Sequence, residues 1–199
     1  MSVQLSQRPR FTPQLELRPF RRRDVAAIDE AVVASLPELA RWLPWANVHY
    51  SKTVSQQFVR DSLAAWAEGR AFDFAIRRPE VPNRHLGNVS VWYTSKPNLV
   101  AEIGYWVRSD ETSRGICTEA TAHVLAIAFQ ELRLHRVTMR IAVGNRASER
   151  VAEKLGFLLE GTLRGEVKVG ERWLDHTVWG LLDNEWRVER RRYEAEAWV

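Results

Sequence analysis

Thr112-Ser113-Arg114-Gly115-Ile116-Cys117-Thr118-Glu119 stands between an alternating stretch and a long apolar one, and its reading decides the fold. Upstream, Ala101, Ile103, Tyr105 and Val107 alternate with Glu102, Gly104 and Trp106, the period of a strand with two different faces. Downstream, residues 118–133 contain no Gly or Pro, and Ala120, Val124, Ile127, Ala128 and Leu132 recur at helical spacing. A strand that passes through a short Gly-containing loop into a helix aims several backbone N–H groups, and the positive end of the helix dipole, at one point. That point suits a phosphate. The same pattern also describes an ordinary strand-to-helix turn, so the loop alone does not name a chemistry.

A second constellation follows. His135 to Val143 reads as another strand, with Val137, Met139, Ile141 and Val143 on one face, and it stops at Gly144-Asn145. Asn145 is placed to cap a short helix over 146–155, and Gly156 ends it at a position that favours positive φ. The pattern Asn145-x-x-Ser148, followed by Glu153-Lys154-Leu155-Gly156-Phe157, resembles the second signature of the GNAT superfamily of acetyl-CoA-dependent N-acetyltransferases. Within it, Ala101-Glu102-Ile103-Gly104-Tyr105-Trp106, Leu134-His135-Arg136-Val137 and Asp175-His176 resemble the RimJ/RimL-like branch, whose best-known members acetylate N-termini of ribosomal proteins. The resemblance runs from about Leu15 to Trp186, and three separated motifs in order are more specific than any one.

The resemblance implies an α/β GNAT fold: a mixed, mostly antiparallel sheet flanked by helices, with a splay between two parallel strands, the Glu102 strand and the His135 strand. It implies one domain over residues 12–186, and residues 187–199 then read as a charged helical tail. It implies acetyl-CoA as cosubstrate, with the backbone of Tyr105, Trp106 and Val107 on the pantetheine arm and the loop of Thr112, Ser113, Arg114, Gly115, Ile116, Cys117 and Thr118 on the pyrophosphate. Asn145 adds a cofactor contact to its capping role. Glu102 is the implied general base and Ser148 the implied proton donor to the departing thiolate. Each has a plainer reading, Glu102 as an ion-paired strand residue and Ser148 as a first-turn helix residue.

The match has departures. The family's loop begins with Gln or Arg and ends with Gly or Ala, where this chain has Thr112 and Cys117, so Arg114 and the backbone amides are expected to carry more of the pyrophosphate. The tyrosine that many members use as general acid is Ala152 here, which moves that role to Ser148. Cys117, in the first turn of a helix beside Arg114, is either a dipole-activated thiolate or a buried inert thiol.

Composition bounds the rest. The 199 residues are 45% hydrophobic and 27% charged, enough for one buried core. A single cysteine excludes an internal disulfide and a cysteine zinc cluster, which fits a cytoplasmic protein, and no metal site is expected. The longest apolar run, Val124 to Phe129, is too short to span a bilayer, so no membrane partner is expected. Net charge is +4, gathered in Arg21-Arg22-Arg23 and in Arg187, Arg190, Arg191 and Arg192. Neither cluster sits in a groove-reading motif, so nucleic acid is not the expected partner, and a homodimer is left open. His85, His123, His135 and His176 read as structural.

Along the chain, residues 15–18 read as a first strand, Asp24 as cap of a helix to Ser35, and Thr53 with Gln56 as a capping box for a helix ending near Gly69. Strands follow at 72–77, 86–93 and 100–107, and a hairpin turning at Gly170-Glu171 closes the domain. The acceptor is an amine, either a protein N-terminus or a small molecule such as an aminoglycoside, polyamine or amino acid. A non-catalytic GNAT-fold binding module is the alternative from another class. Selectivity falls to the Trp42-Trp45 turn, the helix from Thr53 and the hairpin tip.

Overall fold

The structure, a computed structural model, describes residues 5–47 and 49–199. Its strands are β1 (Arg10–Phe11), β2 (Glu16–Pro19), β3 (Ala71–Arg77), β4 (Gly87–Ser95), β5 (Val100–Val107), β6 (Arg136–Ala142), β7 (Leu158–Val169) and β8 (Arg172–Leu182). They form one sheet in the order β1-β2-β3-β4-β5-β6-β8-β7. Every neighbouring pair is antiparallel except β5 and β6, which are parallel. The helices are α1 (Val25–Val33), α2 (Leu36–Leu39), α3 (Lys52–Glu68), α4 (Ile116–Ala126), α5 (Arg146–Lys154) and α6 (Asp183–Ala195).

Alternation along the strands splits the core between the two faces of the sheet. One face carries Phe72, Phe74, Ile76, Val89, Val91, Ala101, Ile103, Val137 and Met139 against Ile116, Ala120 and Val124 of α4, Ala152 of α5 and Leu155 at its end. The other carries Ala75 and Trp106 against Ile28, Ala31 and Val32 of α1, Leu39 of α2 and Val59 of α3. Five residues, Ile127–Glu131, extend α4 as a π-helical turn, and the expected helix over 118–133 therefore begins two residues earlier and changes pitch before its end.

Two expected caps are different in the structure. Asp24 precedes α1 but makes no cap to it, because its carboxylate is buried and takes Arg18 Nη1 at 2.7 Å, Arg18 Nη2 at 2.8 Å, Arg77 Nη2 at 3.0 Å and the Arg21 N–H at 2.7 Å. Two buried guanidinium groups claim it before the helix does. Thr53 lies inside α3, whose N-cap is Ser51, and no side chain caps that terminus. The expected tail at 187–199 is largely the continuation of α6, which packs: Trp186 stacks on Phe129 at 5.3 Å, and the fully buried Tyr193 donates its hydroxyl to the Leu155 carbonyl at 2.5 Å.

Asp24, Arg18 and Arg77 are each at most 5% exposed, so removing the carboxylate leaves Arg77 buried without a paired carboxylate and Arg18 with only Glu16, 4.0 Å from its Nε. Burial disfavours the charged form of Asp24. Arg18 and Arg21 hydrogen bonds, with the charges of Arg18 and Arg77, outweigh that and hold the carboxyl below its usual range. A carboxyl held low stabilises the fold above its unfolded pKa near 3.9, and that contribution fades as pH falls through the lower folded value. We expect Asp24→Ala to lose about 3–5 kcal/mol at neutral pH. Urea unfolding followed from pH 7 down to pH 3 checks this: the gap between wild type and variant shrinks at the acid end.

Candidate active site

β5 and β6 pair only through Val100↔Arg136, Ala101↔Val137 and Glu102↔Thr138. Beyond that point each strand keeps its outer neighbour, β5 pairing with β4 as far as Val107↔Gly87 and β6 with β8 as far as Ala142↔His176. The inner edges therefore part while both strands stay rigid. The β6-facing backbone of residues 103–107 has no ladder partner and opens onto a cleft of about 620 Å³ that passes through the sheet. Tyr105, Trp106 and Val107 line it.

On the face covered by α4 and α5, the cleft meets the loop quoted first. Ser113 (φ 61°) and Gly115 (φ 80°) are both left-handed, and Gly115 is the N-cap of α4. The Glu119 N–H closes the first helical hydrogen bond to the Gly115 carbonyl at 3.0 Å, so the N–H groups of Ile116, Cys117 and Thr118 have no intrahelical acceptor. Thr112, Ser113, Gly115, Ile116, Cys117 and Thr118 all line the cleft, and a Cβ at Gly115 would meet nothing within 4 Å, leaving the backbone open to a ligand. Loop and helix terminus together make an anion cradle.

Arg114 departs from expectation. Its exposed guanidinium pairs with Glu111 at 3.2 Å, and the residue does not line the cleft. Arg78 (3.0 Å) and Arg84 (3.3 Å) converge on the same buried carboxylate, so Arg114 balances a carboxylate beside the loop instead of reaching into it.

Across the cleft, Asn145 caps α5 by accepting the Ser148 N–H at 3.3 Å. Ser148 is half-buried on the cleft wall. The Tyr105 hydroxyl donates to the Ser148 carbonyl at 3.4 Å, a tie between β5 and α5 across the splay. Burial raises the pKa of that phenol, so it remains a donor.

The opposite face of the sheet holds the other mouth, lined by Glu38, Leu39, Trp42, Leu43, Trp92, Glu102, Arg140 and His176. Glu102, 8% exposed, accepts from Arg140 Nε at 2.8 Å, and Arg140 also pairs with Glu166 at 2.6 Å. Burial raises the Glu102 carboxyl, and the Arg140 hydrogen bond and charge pull it partly back. His176, 7% exposed, stands with Nδ1 3.7 Å from Glu166. Sequence reading treats His176 as structural, counts Trp92 only among tryptophans of the core or pocket walls, and gives Arg140 no role at the site. Strand alternation holds the signal: the register sets Trp92 and Thr138 on either side of Glu102, and Arg140 two residues beyond Thr138 faces the same way. Of the expected acceptor elements, Trp42 lines the cleft. Trp45 instead packs edge-on against Trp106 at 6.2 Å, and no described residue of α3 reaches the cleft. The tip of the β7-β8 hairpin touches the Trp42 turn, with Arg172 donating to the Arg41 carbonyl at 3.4 Å.

His85, His123 and His135 lie away from the cleft, and His85 is fully buried between Phe20 and Trp106, with burial driving its pKa down to about 3. Among the described residues no group of three or more His, Cys, Asp or Glu side chains could hold a metal ion, and no helix is long and apolar enough to cross a membrane.

Of the two readings of Cys117, the structure supports the inert one. The residue is half-buried on the cleft wall, and burial pushes the thiol up to about 12, against the pull of the helix dipole. Three pH units above an ordinary thiol correspond to on the order of 10³-fold less thiolate. We therefore expect iodoacetamide at pH 7.5 to label Cys117 on the order of 10³-fold more slowly than free cysteine. Labelling at the rate of a free thiol would restore the dipole-activated reading.

Comparison with known proteins agrees with this geometry. A family model described as an acetyltransferase (GNAT) domain matches residues 14–158. YdaF of Bacillus subtilis, whose name marks it as a candidate ribosomal N-acetyltransferase, is 29% identical over 177 residues, covering 88% of this chain and 95% of that protein. The ribosomal-protein-serine acetyltransferase of Escherichia coli is 24% identical over 177 residues, 88% of this chain and 97% of that one. Among solved structures, Mycobacterium smegmatis RimJ in complex with CoA-disulfide superposes with a TM-score of 0.81 at 27% identity, covering 96% of this chain and 94% of that one. With the split sheet, the glycine-capped helix and the family match in agreement, the chain belongs to the GNAT acetyltransferases.

Proposed function

We propose that the chain transfers the acetyl group of acetyl-CoA to the N-terminal α-amine of a protein. The observation that carries this reading is the cleft through the sheet at the β5-β6 splay, which joins an anion cradle on one face to an open, aromatic-lined mouth on the other. The RimJ structure, a complex with CoA-disulfide, and the ribosomal-protein-serine acetyltransferase relative support the two halves of the proposal.

In this reading the free N–H groups of Ile116, Cys117 and Thr118, with the dipole of α4, hold the pyrophosphate. The pantetheine arm runs along the unpaired edge of residues 103–107 and places the thioester at the level of Ser148. A backbone N–H of that edge polarises the thioester carbonyl and stabilises the oxyanion. The amine lone pair attacks the carbonyl carbon, the carbon–sulfur bond breaks, and the leaving thiolate takes a proton from Ser148 Oγ, which regains one from solvent in the cleft. The proton lost by the attacking nitrogen passes to Glu102, through water, on the opposite side of the splay.

Two physical points favour an α-amine over a lysine. Exposing the neutral form at pH 7 costs about 1.4 kcal/mol for an amine of pKa near 8 and about 4.6 kcal/mol for one near 10.4. A carboxylate already paired with Arg140 is a modest base and suits the smaller demand. The mouth is bordered by the Trp42 turn, which the hairpin tip touches, and in this reading it admits only the first residue of a chain end.

Mass spectrometry of acetyl-CoA with a peptide panel tests the acceptor. Peptides with a free α-amine should gain one acetyl group, and the same peptides blocked at the N-terminus but carrying lysine should gain none. A small amine turned over with a higher kcat/KM than every peptide would move the assignment to small-molecule acetylation. Ser148→Ala should lower kcat about 10²-fold and leave the affinity for acetyl-CoA unchanged, measured by thiol release and calorimetry.

A further inference from the structure

β7 is the terminal strand of the sheet, and eight consecutive residues, Leu158 to Gly165, are exposed. In a strand covered on one face every second residue is buried, so this stretch is uncovered on both faces and along its free edge. It is also apolar where it should be guarded: Leu158, Leu159 and Leu163 are 60%, 56% and 42% exposed. Edge strands of monomers are ordinarily protected by lysine, proline, brevity, a bulge or a charge. Residues 158–163 contain no lysine or proline, and their one charge, Glu160, is turned back onto Arg136 (Nη1 to Oε1 2.6 Å), over Gly180, where a side chain would collide with the pair. The opposite edge of the sheet, β1, is only two residues long and needs no such cover.

The register shows what fits the edge. Leu158 lies opposite Gly180, Gly161 opposite Val178 and Leu163 opposite His176, whereas Leu159 lies opposite Trp179 and Thr162 opposite Thr177. A bulge between Leu159 and Gly161 shifts the alternation, so Leu158 and Leu163 share one face although they are an odd number of residues apart. In an antiparallel pairing of β7 with itself, centred between Glu160 and Gly161, Leu158 of each copy stands opposite Leu163 of the other and Leu159 opposite Thr162. All these pairs match in face, and each Glu160 keeps its own Arg136. The surface is thus complementary to itself, the requirement for a twofold interface.

We infer that the free edge of β7 pairs antiparallel with β7 of a second copy of this chain, Leu158 against Leu163, joining the two sheets into one. This goes beyond the acetylation proposal and does not depend on it. An acceptor protein that comes and goes would leave the leucines bare between encounters, whereas a second copy is always present.

Sedimentation velocity at micromolar concentration tests it. Wild type should run at twice the 23.0 kDa chain mass. Leu158→Glu alone and Leu163→Lys alone, each setting a charge against a leucine, should weaken association at least about 100-fold and give the single-chain mass. Combining the two substitutions sets the introduced carboxylate of each copy opposite the introduced ammonium of the other and should recover the dimer. Both sites are exposed in the single chain, and an unchanged far-UV spectrum verifies the fold. As an independent measurement, amide exchange of residues 158–163 in wild type should slow as concentration rises. A monomeric wild type, a dimer that survives both single substitutions, or a double variant that stays monomeric overturns the inference.

Discussion

Everything else in this molecule depends on the pairing between β5 and β6 ending after three residues. A parallel ladder continued to Val107 would satisfy the backbone there, as sheets normally do, and would close the route through the sheet. It does not continue, because β4 grips β5 and β8 grips β6 along their outer edges while the inner edges diverge. The unpaired groups are held ready on rigid strands, where a ligand can take up the missing hydrogen bonds without loop ordering. Tyr105, reaching from β5 to the Ser148 carbonyl, spans the gap from the α5 side.

Charge is arranged around that opening by side. At the helix terminus the attraction for anions comes from backbone, and the nearest carboxylate, Glu111, is surrounded by Arg78, Arg84 and Arg114, so it does not repel a phosphate. On the opposite face Glu102, Arg140 and Glu166 form a linked chain ending near His176. The negative residues that face the cleft, Glu38, Glu102 and the paired Glu111, leave it suited to an anion at one end and an ammonium at the other.

Much of this is legible in the sequence, and what is missed follows a pattern. Strand alternation and helix periodicity are local, and they place β3 to β6, α5 and the hairpin to within a few residues. The splay comes from the family resemblance, since no local signal says that a ladder stops. Caps fail where tertiary partners win: Asp24 is claimed by Arg18 and Arg77, a contact 53 residues away in the second case. The position of Arg114 in a loop points it at a phosphate, but Glu111, three residues earlier, takes it. Cys117 is ambiguous because dipole and burial act in opposite directions, and only the depth of the sulfur decides between them. His176 reads as inert beside Asp175, which in fact accepts the Gly165 N–H at 2.7 Å and leaves the histidine turned to the cleft.

The contact between Arg172 and the Arg41 carbonyl joins two wall segments 131 residues apart in sequence through one exposed hydrogen bond of 3.4 Å. A bond of that length in water contributes little, and both segments are surface turns. Little therefore holds the two turns together, and parting them takes only loop motion, which runs on the nanosecond-to-microsecond scale. Turnover in typical enzymes is thousands of times slower. Motion of that kind at the mouth is thus faster than a turnover of typical rate.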